Sequence, residues 1–140
     1  IVAPGNLLTT AGLTRITSLI IAGGGQGATN TATRLGVGNS STAAAVGQTD
    51  LQAAAGAANR YFMTMDATYP QVSAGVITFK ATFGTADGNF AWNEWCIDIG
   101  TPTVTAGTTV NATMLNRAVQ SLGTKTSAGT WVATATITLS

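Results

Sequence analysis

The sequence predicts a mainly β fold, a single antiparallel β-sandwich or barrel-like domain with an amphipathic helix near its N-terminus. Three observations lead there. Residues 76–83 and 130–139 alternate apolar and polar side chains almost without fault, the period of two that a half-buried strand requires. One stretch, residues 9–25, repeats apolar residues at spacings of three and four, which a helix needs to gather them on one face. The 140 residues are 45% hydrophobic, enough for one core without disulfides or metals.

Taken in order, Thr9 or Thr10 can cap the helix by accepting a backbone N–H bond. Leu13, Ile16, Leu19 and Ile20 supply its apolar face, and Gly23, Gly24 and Gly25 end it. Residues 33–37 read as a short strand closed by a turn at Gly38, Asn39 and Ser40. Thr49 or Asp50 is placed to cap a second short helix over residues 51–55, stopped at Gly56. From Arg60 the character turns to strand. Residues 76–83 put Ile77, Phe79, Ala81 and Phe83 on one face; a turn at Asp87, Gly88 and Asn89 leads to a strand over residues 90–99. Residues 101–109 read as a loop or hairpin. A strand over 114–122 follows, with Leu115, Arg117, Val119 and Ser121 sharing a side. In the last strand Trp131, Ala133, Ala135, Ile137 and Leu139 face one way and Thr134, Thr136 and Thr138 the other. The whole chain, 1–140, reads as one domain: an N-terminal arm and helix over 1–27 and a β domain over 28–140.

The chemistry-bearing residues are few. There is no histidine, one cysteine and five carboxylates, and 8% of residues are charged, against about 25% in ordinary domains. Without histidine no Ser-His-Asp triad can be assembled. The glycine-rich stretches 23–27 and 36–42 lack the lysine and the Ser/Thr of a phosphate loop. Asp87, Gly88 and Asn89 are too sparse in oxygen ligands for a calcium loop. Glu94 and Asp98 share a strand face with Trp92 and Cys96, and a buried Glu94 paired with Arg117 or Lys80 is expected in place of catalysis. Lone Cys96 reads as a small buried apolar residue. No enzyme activity, cofactor or metal is expected.

The six basic residues, Arg15, Arg34, Arg60, Lys80, Arg117 and Lys125, are dispersed and the net charge is +1, which leaves no footprint for nucleic acid. No apolar run approaches the ~20 residues that span a bilayer. Alternation puts Trp92 and Trp95 on opposite faces of one strand, one filling the core and the other free to cover a partner chain; the alternative is a strand covered on both faces.

Four stretches, residues 11–25 (AGLTRITSLIIAGGG), 34–51 (RLGVGNSSTAAAVGQTDL), 76–99 (VITFKATFGTADGNFAWNEWCIDI) and 114–139 (MLNRAVQSLGTKTSAGTWVATATITL), occur in an order that resembles a family of tailed-phage virion proteins. These are small, Thr- and Ala-rich β proteins of phage heads, tails or fibres. In that pattern an acidic residue leads the strand after the ATFGT stretch, here Glu94, while Trp95, Cys96 and Ile97 are bulkier than the pattern leads one to expect. The resemblance implies a non-enzymatic structural protein, a decoration (cement) protein on the outer capsid surface. It would be made in the host cytoplasm and bound to the major capsid protein as a homo-oligomer, a trimer. The alternatives are a tail-tip, baseplate or fibre component, or a carbohydrate-binding module with Trp92 or Trp95 as its platform. Interface contacts are expected from Ile1, Val2, Leu7 and Leu8 of the arm and from Trp92 and Trp95.

Overall fold

In a computed structural model, which describes residues 6–100 and 113–138, the chain is mainly β, with 44% of residues in strands and 9% in helix. The order is β1 (Leu7–Leu8), α1 (Thr10–Ile20), β2 (Thr33–Gly38), β3 (Arg60–Thr64), β4 (Gln71–Ser73), β5 (Val76–Phe83), β6 (Ala91–Ile99), β7 (Thr113–Thr124) and β8 (Trp131–Thr138). Every pairing is antiparallel. A five-stranded sheet, β1-β7-β6-β2-β3, faces a three-stranded one, β4-β5-β8. The described strands form a sandwich and close into no barrel.

Between the sheets lies the main core. The alternation of β5 delivers Phe79, Ala81 and Phe83, and that of β8 Ala135 and Ile137. The large sheet answers with Leu35, Val37, Trp95, Ile97, Ile99 and Leu115. A second cluster, Leu51, Phe62, Cys96 and Met114, forms where residues 39–59 cross the other face of the large sheet. That sheet is covered on both sides, which is why β2 is buried at every position.

Two register shifts overturn side assignments that strict alternation predicts. Ile97 pairs with Asn116 and Asp98 with Met114, which leaves Leu115 as an extra residue. Past this bulge the parity of β7 changes: Leu115 packs between the sheets while Arg117, paired with Cys96, points to the opposite face. Leu115 and Arg117 therefore do not share a side. A second shift lies between Trp92 and Glu94. There the added twist turns Trp92 into the same inter-sheet core as Trp95.

Helix α1 starts where the sequence places it: Thr9 caps it, its Oγ1 accepting from the Gly12 N–H at 2.9 Å. It docks differently from expectation. Gly12 is its buried residue, and a Cβ there would lie 2.0 Å from the Leu115 carbonyl oxygen of β7. The backbone contact at Gly12, together with half-buried Ile16, fixes the helix on the sheet. Leu13, Leu19 and Ile20 consequently point outward. The helix expected over 51–55 does not form. Its backbone groups bond to buried ions instead, as the following geometry shows.

Candidate functional site

The ionisable groups are the place to begin, because the chain has so few. Glu94 on β6 is fully buried and pairs with Gly38, whose missing side chain makes room for the carboxylate: a Cβ there would lie 2.4 Å from Glu94 Oε1. Arg117 donates to Glu94 Oε2 from Nε at 2.7 Å, and its Nη2 lies 2.6 Å from the same oxygen in the ion pair. The Gln52 and Ala53 N–H groups donate to the two carboxylate oxygens at 3.0 and 2.7 Å. Arg117 then reaches the Gln48 side-chain oxygen and the Thr42 carbonyl. Arg60 donates to Asp50 at 2.7 Å and to the carbonyls of Leu51 and Ala53. Residues 48–53 are thus held by two buried arginines and a buried glutamate, and Glu94 and Arg60 take N–H and C=O groups that a helix would have used. Of the two partners expected for Glu94, Arg117 is the one present. Lys80 sits 3.9 Å from Asp66 instead, over the Tyr69 ring.

A second polar knot closes the far end of the sandwich. Asp87 accepts from the Gly84 N–H at 2.9 Å and from the Tyr61 hydroxyl at 2.5 Å. That hydrogen bond, with burial and the carboxylate charge, pushes the Tyr61 phenol up to about 12. Lys125, which nothing in the sequence marks as buried, is almost entirely so; its ammonium donates to the Gly84 carbonyl at 2.6 Å and to Asn89 Oδ1 at 2.9 Å. Cys96 is buried, and its surroundings push the thiol well above its usual value.

Six of the ionisable side chains (Arg34, Arg60, Glu94, Asp98, Arg117 and Lys125) are buried, and the other five are half-buried. With six basic and five acidic residues in the chain, that accounts for all of them. Among the described residues most of what stands out in water is neutral, hydroxyls, amides and aliphatic groups; Lys80, with its side chain 37% exposed, is the main charged exception. The largest of the aliphatic groups lie on α1 and at its C-cap, where Leu13 is 53% exposed and Ile20 and the capping Ile21 are 77% and 79% exposed. At spacings of seven and eight residues these three form one outward stripe. The sequence gathers Leu13, Ile16, Leu19 and Ile20 on one apolar face, yet only Ile16 packs against the core, because periodicity shows a face but not which way it turns.

The expected interface residues fall in three places. Ile1 and Val2 lie outside the described residues. Leu7 and Leu8 form β1, half-buried and paired with Arg117 and Asn116 of β7. Trp92 and Trp95 are 3% and 9% exposed and sit inside the one chain, so the opposite-face assignment is corrected. Trp92 packs edge-on to Phe83 and Trp131, with ring centroids 4.7 and 5.0 Å away, and donates its N–H to the Gly88 carbonyl. With Leu35, Val37 and Trp131, both indoles line an open cleft of about 380 Å³ between the sheets.

The loop after α1 folds onto its own helix, Arg15 donating to the Gln26 carbonyl at 2.7 Å. Among the described residues no three His, Cys, Asp or Glu side chains gather into a group that could hold a metal, and no helix is long and apolar enough to cross a membrane. Comparison with family models, with curated proteins and with solved structures finds no match for the chain.

Proposed function

We propose that this chain is a non-enzymatic structural protein of a tailed-phage virion, a decoration protein that binds the outer face of the major capsid lattice as a trimer and stabilises it. The observation that carries the reading is the placement of charge. Six of the eleven charged side chains are buried, several of them holding loops, and the surface left over is poor in charge, with an aliphatic stripe along α1 and its C-cap. Neutral surfaces do not repel identical neighbours, so many copies can abut on a closed shell at any salt concentration. Aliphatic groups held outward by a rigid helix gain free energy when a partner covers them. Cementing needs that added burial and no titrating group. The resemblance of four ordered stretches to phage virion proteins agrees with it.

Depletion is the test. Capsids stripped of the protein are expected to rupture at a lower temperature, and adding it back is expected to restore them. Unchanged rupture after complete removal would sink the cement role. Copy number adds a second check, since hundreds per virion accord with the head and a handful with the tail.

A further inference from the structure

Strand β8 ends the small sheet, β4-β5-β8, and all 8 of its residues pair with β5 without a register shift. In an antiparallel ladder the N–H and C=O groups of successive residues point alternately to one side and the other. Every second residue of β8 therefore aims both groups away from β5, where among the described residues no strand lies. We infer that this edge pairs antiparallel with the same edge of a second copy of the chain, joining two three-stranded sheets into one.

Proteins guard open edges with lysine, proline, bulges or very short strands, because a bare edge is a template for another strand. The edge strands β1 and β4 follow that rule at 2 and 3 residues. Strand β8, WVATATIT, does not: it carries no charge, proline, glycine or bulge. The neighbouring charge, Lys80 opposite Thr134 on β5, is turned to Asp66 and the Tyr69 ring. A second copy fits this edge because the edge complements itself. A twofold axis at Thr134 sets Trp131 opposite Ile137, Val132 opposite Thr136 and Ala133 opposite Ala135. Apolar side chains then meet on the inner face, an aromatic against a β-branched residue among them, and no like charges meet. The same copy covers Val132, which is 56% exposed, and half-buried Trp131 and Ala133 where they line the cleft. That burial adds to the ladder bonds. A twofold contact is distinct from the threefold contacts of a trimer, and between trimers it ties one to the next.

A contact of one strand pair belongs with the small, weak interfaces, below about 1,200 Å², so the free protein is best followed by sedimentation equilibrium up to about 1 mM. Val132→Lys together with Thr136→Lys changes two exposed positions of β8 and sets lysine opposite lysine twice across the axis. The native chain is expected to show a higher weight-average mass than this variant, whose association should be weaker by about tenfold. Gln71→Lys with Ser73→Lys adds the same charge to exposed positions of β4, at the other end of the small sheet, and is expected to associate as the native chain does. Position is checked by Thr134→Cys and a short bismaleimide, which should give a covalent dimer, since the native Cys96 is buried. If the β8 lysines unfold the chain, the crosslink decides alone. A native chain no heavier than the β8 lysine variant would overturn the inference, as would an equal loss in the β4 variant or a Thr134→Cys chain that does not crosslink. All of this is read on the free protein, so it succeeds or fails independently of the capsid-rupture experiment.

Discussion

At the scale of single residues, the Glu94–Arg117 pair decides most. Two ions taken out of water cost several kcal/mol each, and their mutual attraction offsets that cost only when the remaining lone pairs and protons are also bonded. Here they are: Glu94 takes two backbone N–H groups and Arg117 reaches Thr42 and Gln48. Removing one partner leaves the other charged and buried. Arg117→Met is therefore expected to cost about 3–5 kcal/mol in urea unfolding, and Glu94→Gln a large part of that. The double variant should cost less than the two single losses added together, and additive losses would show that the pair is not coupled. Tyr61 allows a check by pH. Its folded phenol is raised from 10.0 to about 12, so its contribution is fully present below pH 10.0 and is lost as pH climbs through about 12. Stability measured across that window should fall in the native protein, and Tyr61→Phe should flatten the fall. Cys96, buried and with its thiol pushed up, is expected to resist alkylation until the chain unfolds.

At the scale of elements, the strands that pack one face only were the most legible. In β5 and β8 period-two alternation names the inward residues directly, since nothing competes with it. The central strands β6 and β7 were legible in extent but not in facing. A bulge changes parity without a sequence mark, so Arg117 crossed to the side of Cys96 and Trp92 joined Trp95. The helix expected at 51–55 failed for a related reason: its alanines favour helix, but propensity is a small bias, and Glu94, some forty residues away, together with Arg60 takes the same backbone groups and prevails. Glu94 itself was foreseen as a buried partner of Arg117; the burial of Lys125 was not, because its ligands, Gly84 and Asn89, lie some forty residues away. Helix α1 was placed correctly and turned wrongly, because glycine contributes nothing to a hydrophobic pattern yet Gly12 makes the closest contact. Gly12→Ala is the sharp test. Its methyl would overlap the Leu115 carbonyl, so the gain in helix propensity of about 1 kcal/mol should be outweighed by the loss of docking. A net destabilisation of about 1–3 kcal/mol is expected by thermal unfolding, and a stabilised variant would mean that α1 does not lie flush on β7.

At the scale of the whole molecule, the scarcity of charge in the sequence acquires a spatial meaning. An ordinary domain keeps its ions in water and its core apolar. This one draws six ionic side chains inside, among them Arg60, Glu94, Arg117 and Lys125, which fasten loops, and presents mainly hydroxyls, amides and the Leu13–Ile20–Ile21 stripe outward. An association made by such a surface depends on burial and not on Coulomb attraction, and the two respond oppositely to salt. Raising ionic strength shortens the screening length from roughly 14 Å near 0.05 M to about 4 Å near 0.5 M, which abolishes attraction between surface charges but leaves apolar burial intact. Binding to capsids stripped of the protein, followed by co-sedimentation, should hardly change over that range. Ile20→Lys combined with Ile21→Lys adds two charges to the stripe without touching the core, so the fold should persist by circular dichroism while binding falls at least tenfold, since two buried aliphatic side chains are worth about 1.5–3 kcal/mol each. A steep loss of native binding with salt would point to charged contacts outside the α1 stripe, and undiminished binding of the double-lysine variant would remove the stripe from the interface.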